Sequence, residues 1–242
     1  GNAAVIQAGR TTVMLDCGFS LKETERRLRR IGVSPGDIDA LLVTHEHADH
    51  IAGVGAFARR YGVTVWMTSG TFASGRAGRL PSLELVNFRR PVTVGDLTIE
   101  PVAVPHEARE PCQYVFADQQ HRLGVLTDTG HITPHIVEHF GRCDTLVVEC
   151  NHDSAMLARG PYPASLKARV GGDYGHLNNE QAASLVSRCE QSRLQHLVAV
   201  HISEKNNTSE LAVNALSMAL GVSGLDVDTA CQNEGTQWRE IV

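Results

Sequence analysis

The sequence contains no apolar run near the roughly 18 residues that a membrane-spanning helix needs, so no membrane partner is expected. It contains no CxxC pair. Cys17, Cys112, Cys143, Cys150, Cys189 and Cys231 are scattered, the pattern of reduced, mostly buried thiols in a cytoplasmic protein rather than of a disulfide scaffold. No secretory signal, linker, repeat or low-complexity tract is visible. Nor does one charge dominate. The 22 basic and 27 acidic residues leave −5, which excludes a general polyanion-coating protein and leaves local phosphate contacts open.

What remains is an ordinary globular composition, 42% apolar and 20% charged over 242 residues, enough for one domain spanning 1–242 with a sizeable core. Residues 5–8 and 12–16 read as a hairpin around Gly9-Arg10. Ser20 and Glu23 open a helix to residue 31, with Arg26, Arg27, Arg29 and Arg30 on a solvated face. A second helix is expected over 50–61 and a strand over 63–67. Five β segments follow, at 83–88, 91–94, 97–104, 113–117 and 122–126. Residues 146–149 and 197–200 are short continuous apolar runs, as in buried strands. Asn178 with Gln181, and Asn207 with Glu210, cap two more helices. Residues 69–81 and 158–175 are rich in glycine and read as functional loops. Together these elements predict an α/β domain with two sheets sandwiched between helices.

The chemistry concentrates where one apolar strand stops: Leu41-Leu42-Val43-Thr44-His45-Glu46-His47-Ala48-Asp49-His50. His45 and His47 can converge on one cation, while Asp49 and His50 can face a second. Imidazole and carboxylate donors suit zinc, manganese or iron(II). Other apolar runs also end in a metal-capable side chain: His106, Asp128 and His201. A single histidine after a strand is usually a satisfied surface residue. Four such strand ends in one chain, one of them bearing HxHxDH, argue for a site.

His45-x-His47-x-Asp49-His50 with His106, Asp128 and His201 resembles the metallo-β-lactamase superfamily, and Leu15-Asp16-Cys17-Gly18 resembles its first, structural motif. The resemblance covers essentially the whole chain. It implies a four-layer αββα sandwich and two divalent metal ions per chain, zinc or manganese with iron possible. It also implies a ligand set: His45, His47 and His106 for the first metal, Asp49, His50 and His201 for the second, and Asp128 bridging both. A carboxylate bridge of that kind holds two cations about 3.5–4 Å apart, with a hydroxide between them as nucleophile and Asp49 able to orient it. Asp128 at the bridge argues against a true β-lactamase, since the best-known lactamase class carries Cys or His there.

Further motifs are similar to the YycJ/WalJ branch, whose members are regarded as DNA exonucleases. They are Gly1-Asn2, Glu149-Cys150-Asn151-His152-Asp153, Leu166-Lys167-x-Arg169, Gly175-His176-Leu177-Asn178-Asn179 and His201-Ile202-Ser203-x-x-Asn206-Asn207. Asn178 and Ile202 depart from the residues common in that branch. The implied activity is phosphodiester hydrolysis at DNA ends. His176 is then a proton donor or phosphate contact, with a structural histidine at a helix start as the alternative. His152, Lys167, Arg169, Ser203, Asn206 and Asn207 are candidate substrate contacts, each with a structural alternative. His131, His135 and His139, four apart, read as one face of a helix, with His131 near the site's rim. Two rival functions remain. One is a small-molecule hydrolase on the same site: cyclic phosphodiesterase, lactonase, thioesterase or weak β-lactamase. The other is a non-catalytic binding module, which the intact ligand set opposes.

Overall fold

A computed structural model describes residues 1–221 and 224–242. The chain forms a mixed α/β structure with two sheets of hydrogen-bonded strands. It divides into two compact units, Gly1–Ala103 with Ala108–Tyr114, and Val104–Glu107 with Val115–Val242.

In the first unit, β1 (Ala4–Ala8) and β2 (Thr11–Leu15) form an antiparallel hairpin with Ala8 opposite Thr11. The turn is closed by Gly9 at φ +55, a conformation glycine adopts without a Cβ clash. β3 (Ala40–Leu42), β4 (Thr64–Thr68) and β5 (Leu83–Val86) then add in parallel, in the order β1-β2-β3-β4-β5. Every residue of β2 and β3 is buried, as expected of strands covered on both faces. Helix Leu21–Arg30 starts where expected, the Ser20 hydroxyl accepting from Glu23 N. Its Arg26 and Arg27 both pair with Glu23 at 2.7 Å, a solvated cluster. Met14, Leu28, Leu41, Phe57 and Met67 meet in the core of this unit. Each such side chain, fully buried, contributes about 1.5–3 kcal/mol. β6 (Val92–Val94) and β7 (Leu97–Ala103) form a second hairpin, whose Asp96 carboxylate accepts from Arg10 N at 2.9 Å.

β8 (Cys112–Ala117) leads to β9 (Arg122–Leu126), β10 (Thr145–Glu149), β11 (His196–Val200) and β12 (Val227–Thr229). The second sheet runs β12-β11-β10-β9-β8-β7-β6, with β9 to β12 parallel. Val148 lies opposite Leu126, and Glu149 opposite Val200. That register carries the residues following β9 and β11 to one level, on either side of the end of β10. Ligands of open α/β sheets bind beyond such carboxyl ends. Helix Asn179–Arg188 opens with the expected capping box of Asn178 and Gln181 and buries Ala182, Leu185 and Val186.

Several local expectations change, and the supposed loop 69–81 opens with helix Ser69–Ala73. The helix expected over 50–61 is two helices, Ala48–Ile51 and Val54–Tyr61. Between them a Cβ on Gly53 would overlap the Phe19 carbonyl, so the chain passes there only as glycine. The supposed loop 158–175 carries helix Ala164–Val170, and Ser154–Arg159 precedes it. The last long helix, Ser209–Ala219, is capped by Thr208 rather than Asn207.

All six cysteines are free thiols. Burial pushes Cys17 up to about 11, and Cys112 and Cys143 up to about 12. Cys150 is raised for the same reason. Cys231 alone is exposed. Because the thiolate is the reactive form, maleimide is expected to label native protein first at Cys231 and to reach Cys17, Cys112, Cys143 and Cys150 only on unfolding. Peptide mass mapping at pH 8 checks this, and labelling of Cys112 as fast as Cys231 would contradict the packing described.

Candidate metal centre

The HxHxDH segment leaves β3 and is fixed by Asp16, which follows β2. Asp16 is buried and sits at φ +59. One oxygen accepts from Thr44 N, and the other from Thr44 Oγ1, each at 2.9 Å. The second oxygen also holds His50 Nδ1 at 2.7 Å. His45 Nδ1 meets Thr44 Oγ1 at 3.0 Å, and His45 Nε2 faces His47 Nδ1 at 2.9 Å. The His45 ring centroid lies 4.5 Å from that of His47 and 4.2 Å from that of His50. The half-exposed Asp49 carboxylate is 3.5 Å from His50 Nε2 and accepts from Asn2 Nδ2 at 3.1 Å. A Cβ on Gly18 would overlap the Asp49 carbonyl, so glycine is required beside this turn. These four sequence-predicted ligands therefore converge within the first unit.

The second unit brings together another set. His106 donates from Nδ1 to the Gly175 carbonyl at 3.0 Å, and its Nε2 is 3.9 Å from Asp128 Oδ1. Asp128, two residues beyond β9, is buried, and the same oxygen lies 3.6 Å from His176 Nδ1 and 3.8 Å from His201 Nδ1. Among the described residues, the non-glycine positions at positive φ are Asp16, Asp128 (φ +47) and His201 (φ +56). Each costs on the order of 1–3 kcal/mol, and such costs collect at functional sites.

Glu149 closes this cluster and was not among the residues the sequence singled out for chemistry. It is completely buried at the end of β10. Oε1 accepts from His176 Nδ1 at 2.7 Å and from His201 Nδ1 at 2.8 Å. Oε2 accepts from Thr129 N at 3.2 Å and Leu177 N at 3.1 Å. Burial opposes its charge, but the two imidazoles overcome that and hold its pKa down at about 2. Burial likewise works against charge on His176, yet Glu149 and then Asp128 raise its pKa above the ordinary imidazole value. His106, with burial dominant, is shifted down, which favours the neutral form a metal ligand needs. The available signal for Glu149 was the one used elsewhere, an apolar strand ending in a carboxylate.

The donor chemistry fits a divalent metal. Metal-bound histidines commonly give their second ring N–H to a carboxylate or carbonyl, which fixes tautomer and orientation. His50 does so with Asp16, His106 with Gly175 O and His201 with Glu149. Each acceptor makes Nδ1 the protonated nitrogen and leaves Nε2 as the donor atom. Asp128, Glu149, His176 and His201 place one ligand atom each within 4.8 Å of one another.

The candidate substrate contacts are distributed differently. His152 and Asn206 are buried. The His152 carbonyl accepts from Asn179 N, and the Asn206 carbonyl from Asp153 N. Asn207 is buried and its amide pairs with that of Asn179, at 2.8 and 3.0 Å, and with Cys150 O. Half-buried Ser203 accepts from Asn206 N. Lys167 donates to Ala158 O at 2.7 Å, and Arg169 pairs with Glu107 at 2.6 Å. Two apart on helix Ala164–Val170, these cations project about 160° apart around its axis. His131 lies before helix Pro134–Phe140 and binds Asp173 O at 2.9 Å, so the expected three-histidine stripe is a pair. Beside His176, sequence reading passed over Tyr174. The residue is 64% exposed, while its carbonyl is tied to Glu107 N at 3.0 Å.

Comparison with known proteins shows the family. Residues 11–202 match the family described as the beta-lactamase superfamily domain. Exodeoxyribonuclease YycJ of Bacillus anthracis is 32% identical over 98% of this chain and 91% of its own length. Exodeoxyribonuclease WalJ of Streptococcus pneumoniae is 35% identical over 93% of this chain and 88% of its own. The metallo-β-lactamase fold protein YhfI of Bacillus subtilis superposes with a TM-score of 0.74 over 97% of this chain and 90% of that one, at 18% identity. With its strand-end histidines and acids, its two-sheet α/β structure and these relatives, the chain belongs to the metallo-β-lactamase superfamily.

Proposed function

We propose that the chain is a dinuclear-metal phosphodiesterase acting on DNA ends in the cytoplasm, its 242 residues forming one metallo-β-lactamase-fold domain. The observation that carries this reading is the acceptor behind each of His50, His106 and His201, which prepares three imidazoles for metal. His45, His47 and His106 would hold the first cation, Asp49, His50 and His201 the second, and Asp128 would serve both. The donors suit zinc or manganese, with iron(II) also compatible. When bound, such a pair supplies an activated water at neutral pH and neutralises the phosphoryl oxygens.

The protein's own groups do the rest. Asp49, half exposed beside His50, accepts a hydrogen bond from the attacking water and orients it. His176 carries the proton for the leaving alkoxide, because Glu149 keeps its ring oriented and its pKa raised. Among the described residues, no helix is long and apolar enough to cross a membrane.

Tyr174 deepens the DNA reading. Its loop is fastened by Glu107 N, by His131 on Asp173 O and by Gly175 N on Gly172 O, so the backbone that carries this exposed side chain is fixed two residues from His176. Stacking of a base on such a ring contributes about 1–3 kcal/mol. Tyr174→Ala is expected to raise KM for DNA about five- to hundredfold. It should leave turnover of bis-p-nitrophenyl phosphate unchanged. One observation favours the small-molecule alternative: Lys167 and Arg169 are already engaged within the chain. Equal KM for DNA in wild type and Tyr174→Ala would remove Tyr174 from the DNA contacts, and cleavage of the small ester with DNA left intact would move the assignment to that alternative.

A further inference from the structure

Away from the centre described above, helix Pro134–Phe140 carries metal donors of its own. Thr133 caps it, accepting from Ile136 N, and Pro134 occupies its first turn. Ile136 and Phe140 are buried, so the helix is anchored through that face. His135 and Glu138 are exposed and His139 is half-buried. Residues four apart on a helix share a face. Accordingly the His135 and His139 ring centroids are 4.2 Å apart. One nitrogen of each and a Glu138 carboxylate oxygen all lie within 4.8 Å of one another. Arg122, the nearby cation, meets this helix at the His139 carbonyl (3.4 Å).

The order His135-Ile136-Val137-Glu138-His139 is HxxEH. Paired imidazoles at i and i+4 in such motifs hold zinc. We propose that His135, His139 and Glu138 form an auxiliary surface site for a divalent transition metal, zinc, nickel or copper, with water completing the coordination. Two imidazole nitrogens select these ions over magnesium and calcium, which prefer all-oxygen cages. The rings stand edge to face at 68°. The exposed His135 ring, on a helix anchored through Ile136 and Phe140, can turn toward the half-buried His139 ring to approach the Zn–N distance of about 2.0–2.1 Å. The site uses none of the residues of the proposed catalytic centre and holds whether or not the chain cleaves DNA.

The test is equilibrium dialysis of the whole protein against micromolar zinc, comparing wild type with His135→Gln/His139→Gln. Wild type is expected to retain about one more zinc per chain. Glu138→Gln should keep that extra zinc but weaken it about tenfold. Copper added to the zinc-loaded wild type should give an EPR signal with nitrogen couplings that the double variant lacks. Because His135 is exposed, His139 is only half-buried and glutamine keeps a polar side chain at both positions, melting temperature should change little, and bis-p-nitrophenyl phosphate hydrolysis should be unchanged. Equal zinc in the folded wild type and double variant, or identical copper spectra, overturns the site. A chain whose central cluster held no metal would still show the difference, so the two readings fail separately.

Discussion

Asp128→Ala is expected to reduce phosphodiester hydrolysis by at least about 10³-fold while the protein stays folded. Asp128 sits at φ +47 beyond β9, with its carboxylate buried against His106, His176 and His201. On the proposed reading it is the ligand common to both cations, so its loss disturbs two metals at once. Alanine tolerates that backbone less well than aspartate, at a cost of about 1 kcal/mol, small against the stability of a domain. Asp128→Asn keeps the shape without the charge and separates the two effects: it should be as inactive as alanine and melt closer to wild type. Metal content measured on the same samples completes the comparison. Full activity in a metal-loaded Asp128→Ala protein would contradict the two-metal mechanism.

The second large effect concerns Glu149. One carboxylate orients both His201, a proposed ligand, and His176, the proposed proton carrier. Glu149→Gln should therefore weaken metal binding about 10- to 100-fold. Turnover at saturating metal should fall about 10²- to 10⁴-fold. His176→Ala should produce the loss of turnover without the loss of metal. The pH profile distinguishes orientation from charge. Burial lowers the His176 pKa, and Glu149 more than offsets this, so the protonated ring persists to higher pH in the native protein. Without that negative charge the pKa falls, and the limb on which rate declines with rising pH should move to lower pH. An unmoved limb would show that Glu149 acts only as a structural acceptor. Equal loss of metal in His176→Ala would make His176 a ligand instead.

The strand ends were legible because each is a local event: an apolar run followed at once by a polar metal donor. His45, His106, Asp128 and His201 all obey it, and they follow β3, β7, β9 and β11 by one to three residues, whereas Asp16 was legible only through its resemblance to a family motif. Glu149 obeys it too, but its meaning depends on partners 27 and 52 residues away, which no local pattern reveals. The break at Gly53 is also non-local, set by the Phe19 carbonyl. In 158–175, Pro163 and Gly171 are the two caps of helix Ala164–Val170, so residues read as loop formers mark its boundaries. Asn207 gave up its expected capping role because Asn179 and Cys150 engage its amide, and Thr208 caps the helix in its place. His131 fell off the histidine stripe because the helix begins only at Pro134.

The most direct test of the central claim is hydrolysis of end-labelled single- and double-stranded DNA by protein reconstituted with zinc or manganese. Bis-p-nitrophenyl phosphate and a chromogenic cephalosporin are run in parallel. The account predicts metal-dependent trimming from DNA ends, abolished in Asp128→Ala, with little or no cephalosporin turnover. Cleavage of the small substrates by the metal-loaded protein with DNA left intact would contradict it.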